Sequence, residues 1–193
     1  MTSSMDEKRA DTGGPLGLVP MGRPGELALR IVAANLQGML RLPVDILSPL
    51  EVPEEAFFPQ RRQYDAGVIL RYLGELDLPA HPRLLGVTHL DLCIPILTYV
   101  FGEAQLGGRA AVVSTFRLRQ GQGKAQVSME RFYERLAKVA LHEVAHTFSL
   151  YHCENARCLM AFSPALDRLD EIGLVFCDRC EYMLRQASQG VGG

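Results

Sequence analysis

Residues 141–160 read LHEVAHTFSLYHCENARCLM, a stretch with three histidines, two glutamates, two cysteines and a methionine. Imidazole and thiolate are the usual side-chain ligands of zinc, so the chemistry to consider is that of a metal, at one site or at two. His142 and His146 stand at i and i+4, neighbours on one helical face, and both rings can reach the same ion. Glu143 is rotated roughly 100° from His142, a direction suited to a water beside the ion rather than to the ion itself. His152 cannot join them on a continuous helix, because six residues past His146 it would lie about 9 Å further along the axis. The helix must therefore break between Thr147 and Tyr151 and return the chain. Three histidines around a tetrahedral zinc leave one position open, as in a catalytic site. An i, i+4 histidine pair alone is more often surface or core decoration; three histidines with the glutamate on an amphipathic helix favour the metal. His81 and His89 have no partner pattern and receive no role.

Cys153 and Cys158, then Cys177 and Cys180, form two close pairs separated by a loop, the arrangement that a tetrahedral four-cysteine zinc needs. Such a site has no place for water and is structural. It would tie the turn after His152 to a helix starting near Cys177 and running through EYMLRQ, replacing part of a core. Two disulfides are the alternative. Cys93 is left over and reads as a small buried hydrophobe.

Hydrophobic spacing lays out the scaffold. Residues 1–13 read as a flexible tail, and GPLGLVPM as a short buried strand. Leu27, Ile31, Leu36 and Leu40 predict a helix from about Gly25 to Leu40, and Val44 to Leu47 a strand that prolines end. Tyr64, Val68, Tyr72 and Leu76 mark one side of a second helix, and RLLGVTHLDLC another strand. TYVFGEAQLGGRAAVVSTFRL predicts a hairpin turning in two residues at Gly107 and Gly108. Its first arm, with Gly102 and Glu103, suits an edge strand; AAVVSTF suits a strand buried on both faces. After the polar linker RQGQGKAQ, Ser128 is placed to cap the long histidine helix, with Glu130 in its first turn. Phe132, Leu136, Val139 and Ala140 give that helix a side to pack on the sheet.

Composition narrows the class. The 193 residues are 48% hydrophobic, enough for a core, and the formal net charge of −2 gives no electrostatic reason to expect a polyanion partner. Arginine outnumbers lysine 17 to 3, which chooses no function. The polar N-terminus lacks the plan of a secretory signal, and the longest apolar stretch, LDLCIPILTYVF, is too short to span a bilayer. The expectation is a cytoplasmic protein with no membrane and no nucleic-acid partner, working as a monomer.

The stretch HEVAHTFSLYH, from His142 to His152, resembles the pattern H-E-x-x-H-x-x-G-x-x-H of the metzincin clan of zinc metallopeptidases. Its continuation CENARCLM, with CDRC from Cys177 to Cys180, is similar to the archaemetzincin family in particular. The resemblance implies an α/β (α+β) fold: a twisted mixed sheet with an antiparallel edge strand, backing helices that include the active-site helix, and a small C-terminal lobe below a cleft. By this division residues 14–152 form the N-terminal lobe and 153–193 the small one. The resemblance also implies that Met160 is the methionine of a Met-turn, packed beneath the metal. Two departures stand out: Ser149 occupies the place of a glycine at the sharp turn, and neither Ala161 nor Phe162 carries the hydroxyl that some metzincins set beside the metal.

The expected activity is peptide hydrolysis with two zinc ions per chain. His142, His146 and His152 hold the catalytic ion; Cys153, Cys158, Cys177 and Cys180 hold the structural one; Glu143 is the general base. An extended peptide is the expected substrate, paired with the TYVFGEAQ edge. A zinc-containing peptide-binding or regulatory protein with little hydrolytic activity is the alternative. A nucleic-acid module built on the CDRC knuckle is disfavoured by the acidic balance.

Overall fold

The computed structural model describes residues 14–121 and 125–188. The expected tail and the middle of the RQGQGKAQ linker lie outside the described residues. In chain order the elements are β1 (Leu16–Met21), α1 (Glu26–Leu40), β2 (Val44–Ile46), β3 (Phe57–Phe58), β4 (Gln63–Asp65), α2 (Ala66–Glu75), β5 (Arg83–Thr88), β6 (Leu92–Ile94), β7 (Leu97–Val100), β8 (Gly102–Ala104), β9 (Ala110–Ser114), α3 (Met129–Thr147), α4 (Leu166–Glu171) and α5 (Asp178–Ser188).

The main sheet has the order β2-β1-β5-β9-β8; its first four strands are parallel and β8 is an antiparallel edge. Strands β1 and β9 are buried along their whole length because helices cover both faces. Leu16, Leu18, Leu85, Val87, Ala111 and Val113 point to the face carrying α1 and α3. Their alternates Val19, Met21, Leu84, Ala110 and Val112 meet α2 on the other. The first cluster continues past α3 into Leu159, Met160, Leu169, Ile172, Phe176 and Leu184.

Three details differ from the expected pattern. The buried stripe of α1 is Ala28, Leu29, Val32, Ala33, Leu36 and Leu40, and Leu27 is exposed. In α2 the sheet-facing residues are Ala66, Ile69, Leu70 and Leu73, with Tyr64, Val68, Tyr72 and Leu76 packed around their border. Aliphatic side chains face the sheet and the two tyrosines stand at the margin, one position round the helix from the row that the i, i+4 spacing picked out. The third difference is the hairpin. Leu97–Val100 belongs to a second small sheet, of order β3-β4-β6-β7, and only β8 pairs with β9. The loop between them spans residues 105–109 rather than two, because Gln105 folds back. Its carbonyl accepts from the Gly108 N–H at 2.9 Å, and its Oε1 from the Ala110 N–H at 3.2 Å. Gly107 takes φ 64°, and Gly108 does not share the positive φ.

Ser128 caps α3 as expected, its Oγ accepting from the Arg131 N–H at 3.2 Å. The helix ends at Thr147 and Ser149 turns the chain in the left-handed region, φ 66°. Two cations on α3 are buried, which amphipathic spacing alone does not suggest. Arg135 forms a bidentate pair with Asp170 at 2.7 Å and also donates to the carbonyls of Leu118 and Gln120. With side-chain exposures of 4% and 19%, that pair fastens α4 to α3.

A left-handed serine is strained relative to glycine, so Ser149→Gly should raise stability by about 1 kcal/mol or less, read as an upward shift in thermal midpoint of a few degrees. Arg135→Ala leaves two carbonyls unpaired and the part-buried Asp170 carboxylate with only the exposed Arg131 as partner, and should cost about 2 kcal/mol or more in urea unfolding at neutral pH. The Arg135 hydrogen bonds hold the Asp170 carboxyl below its ordinary value. This contribution is therefore complete above the usual carboxylate range and is lost as pH falls through the depressed folded value. The gap between wild type and variant should narrow in acid to the part that the two carbonyls contribute; a gap unchanged by pH would refute the assignment.

Candidate metal centre and cleft

The last turns of α3 carry His142 and His146, and the left-handed turn at Ser149 brings His152 back to them. The three ring centroids lie 4.7, 5.2 and 4.9 Å apart, so the three expected residues meet at one point. One candidate ligand atom from each lies within 4.8 Å of the others. The chain beyond the helix orients the rings. His142 Nδ1 is 2.9 Å from the Leu159 carbonyl, and His146 Nδ1 is 2.6 Å from the Leu150 carbonyl. A carbonyl only accepts, so each Nδ1 carries the proton and each Nε2 a lone pair. Those two Nε2 atoms are 3.0 Å apart. Two lone pairs facing each other at that distance repel, and a cation between them removes the conflict; the donor set fits zinc. Burial, reinforced by the neighbouring histidines, lowers the pKa of His142 to about 3, and burial also lowers those of His146 and His152. All three rings are thereby kept neutral and able to ligate.

Glu143 lies against the edge strand. A Cβ at Gly102 would come within 2.6 Å of Glu143 Cγ and 2.8 Å of the Val112 carbonyl, so only glycine admits the glutamate there. Burial, followed by the charge of Glu103, raises its carboxyl well above the ordinary value. A bound cation acts in the opposite direction. The loop after β8 also braces the helix end, since the Gly107 N–H donates to the His146 carbonyl at 2.9 Å.

These groups line a cleft of about 600 Å³. Its upper border is the extended segment from Leu97 to Ala104, and its lower border runs through Leu159 and Ala161 to Pro164. The Tyr99 hydroxyl donates across it to the Pro164 carbonyl at 3.3 Å. Tyr99 is itself held by the guanidinium of Arg117, 4.2 Å over its ring, and Arg117 is paired with Asp91 at 2.7 Å. Tyr99 and Glu103 stand in the TYVFGEAQ edge that the sequence set against the substrate, whereas sequence reasoning missed Lys138 as a cleft residue. Lys138 left one signal, standing four residues before His142 on the same helical face.

The four cysteines also converge, with one sulfur from each within 4.8 Å of the others. Cys153 Sγ and Cys177 Sγ are 3.8 Å apart, the edge of a Zn–S tetrahedron with bonds of about 2.3 Å and far from a disulfide bond. Cys158 Sγ accepts from the N–H groups of Met160 and Cys177 at 3.5 and 3.3 Å, as a thiolate does. Cys177 is lowered to about 7, first by the Cys180 backbone, whereas burial raises Cys158 and Cys180. Cys93 is buried away from this cluster as a free thiol. His81 pairs with Asp45 at 3.1 Å and His89 Nδ1 accepts from the Arg23 N–H at 3.0 Å; neither joins the metal centre. Met160 is fully buried, between Leu159, whose carbonyl orients His142, and Ala161.

Comparison with known proteins agrees with this geometry. The model of Peptidase family M54 matches residues 26–186. The archaemetzincin of Archaeoglobus fulgidus is 34% identical over 157 residues, covering 81% of this chain and 91% of the relative. The crystal structure of archaemetzincin from Methanopyrus kandleri superposes with a TM-score of 0.81 at 33% identity, covering 92% of this chain and 96% of the other. A zinc-dependent peptidase from Methanocorpusculum labreanum gives a TM-score of 0.78 at 30% identity, with 88% and 99% covered. The chain therefore belongs to peptidase family M54, the archaemetzincin family of zinc metallopeptidases.

Proposed function

We propose that the chain hydrolyses peptide bonds with one zinc held by His142, His146 and His152 and a second held by Cys153, Cys158, Cys177 and Cys180. The observation that carries this reading is the convergence of three neutral imidazoles beside a buried carboxylate in an open cleft. A zinc at the histidines supplies Lewis acidity, which polarises a carbonyl and lowers the pKa of water. The protein's own groups do the rest. Glu143 takes a proton from water at its carboxylate oxygen and delivers it to the leaving amine nitrogen. The free edge from Leu97 to Ala104 pairs with an extended peptide and sets it along the cleft. Met160 packs the floor below the histidines as the methionine of the Met-turn, a fully buried thioether with no role as a ligand. The four thiols and the lack of a long apolar helix among the described residues suit a monomer in the reducing cytoplasm.

A second reading, a peptide binder with little turnover, draws on one observation: the Tyr99–Pro164 hydrogen bond crosses the cleft and a peptide must pass it.

Glu143→Gln separates the two. It should keep the full metal content and lose about two to four orders of magnitude in peptide hydrolysis, because the amide cannot accept the proton. Equal turnover by both proteins would remove Glu143 from the mechanism. Metal content per chain supplies a separate check. Elemental analysis should find two zincs in the wild type and one in His146→Ala with the fold kept. In Cys177→Ala the cysteine-bound zinc should be lost and histidine-site affinity should fall, because Cys153 adjoins His152 and Cys158 adjoins Leu159. A cysteine variant whose histidine site kept its affinity would show the two sites to be independent.

A further inference from the structure

Beyond the histidines the cleft continues into a wing bounded by Val139 and Lys138 of α3, Leu159 and Ala161 of the turn, and Leu169 and Ile172 of the C-terminal segment. Five of these six side chains are apolar. Lys138 is the exception, and its side chain is only 1% exposed. It precedes His142 by one helical turn, about 6 Å along the axis.

An ammonium group presents three N–H donors. Lys138 directs one to the Leu169 carbonyl at 3.2 Å and one to Glu134 Oε1 at 2.7 Å, and no third acceptor is in hydrogen-bond reach among the described residues. Glu134 is 48% exposed, so solvent screens much of its charge. The other nearby carboxylate, Asp170, is already engaged by Arg135 and Arg131. The acids of the cleft, Glu103 and Glu143, lie at its metal end beside Gly102. A buried ammonium whose one ion pair is to a half-exposed acid, with a donor left over at the base of an apolar pocket, gains from an acid entering from the cleft.

We propose that Lys138 is a specificity determinant of the peptidase, and that the wing takes the side chain of a substrate glutamate next to the bond cleaved. The two methylenes of that glutamate lie along Val139 and Ile172, and its carboxylate meets Lys138. Aspartate is shorter by one methylene, and its carboxylate stops short of the ammonium. Glutamine keeps the shape without the charge, and leucine satisfies the walls without the base. This assignment rests on the peptidase reading, because it places the reacting bond at the histidines.

The test uses the zinc-loaded protein and hydroxamates of one succinyl scaffold that differ in a single side chain: carboxyethyl, carboxymethyl, carbamoylethyl or isobutyl. Their affinity is measured by titration calorimetry, and the matching peptides are assayed for cleavage. The carboxyethyl compound should bind at least tenfold more tightly than the other three, and Lys138→Met should erase that preference. A wild type that ranks isobutyl first, or does not separate carboxyethyl from carbamoylethyl, overturns the proposal even if Lys138→Met fails to fold. Tight carboxyethyl binding without cleavage of any peptide supports the pocket and defeats the peptidase reading. Cleavage of leucine peptides with isobutyl ranked first does the reverse.

Discussion

Two main-chain carbonyls, those of Leu150 and Leu159, decide what the histidines of α3 can do. By accepting from the Nδ1 atoms of His146 and His142 they leave both Nε2 lone pairs aimed at one point. Neither carbonyl belongs to the helix. Each comes from the chain that folds back after it, so the ligand set exists only when that return path is built. Ser149 accepts a left-handed conformation to start the return, and the hydrogen bond from the Cys153 N–H to the Met160 carbonyl, at 2.8 Å, closes the loop that contains Leu159. The sulfur cluster then holds the base of the same loop through Cys153 and Cys158. Helix end, turn and thiolates are thus parts of one support for the imidazoles.

The same economy governs the cleft. One border is an edge strand with free backbone groups, the kind of exposed edge that proteins usually cover. Here β8 is short, Phe101 separates it from β7 and is buried, and the loop that follows is pinned to the end of α3 by Gly107. The edge is consequently fixed relative to the histidines. The other border is fixed to α3 by the Arg135–Asp170 pair and by Lys138 on the Leu169 carbonyl. Both walls therefore refer to one helix, and the spacing between them follows from where α3 sits on the sheet.

Much of this was legible in the amino-acid sequence, and the limits have physical reasons. The histidines, the glutamate and the cysteine pairs could be read because ligand chemistry demands those residue types at spacings that helix geometry explains. The break after Thr147 followed from the impossibility of reaching His152 otherwise. The cap at Ser128 and the buried strands were visible in local chemistry and in continuous apolar runs. The division of Thr98–Leu118 between two sheets was not, because Val100 and Gly102 both suit an extended edge and only tertiary pairing at Phe101 separates them. The burial of Lys138 and Arg135 was not legible, because it depends on α4, a helix of six residues with no periodic signal of its own. The Nδ1 acceptors are backbone atoms, to which side-chain identity gives no clue.

Gly102 bears on how this cleft can be redesigned. A side chain there would collide with Glu143 and with the carbonyl of a neighbouring strand, so the centre of the cleft's edge strand is closed to variation. Its flanks are not: Leu97, Leu106, Tyr151 and Phe162 line the cleft with large exposed side chains. An engineer seeking a new peptide preference would leave the middle of the edge alone and build libraries at Leu97 and Leu106, because Phe162 packs on the His152 ring and Tyr151 adjoins that histidine in the chain.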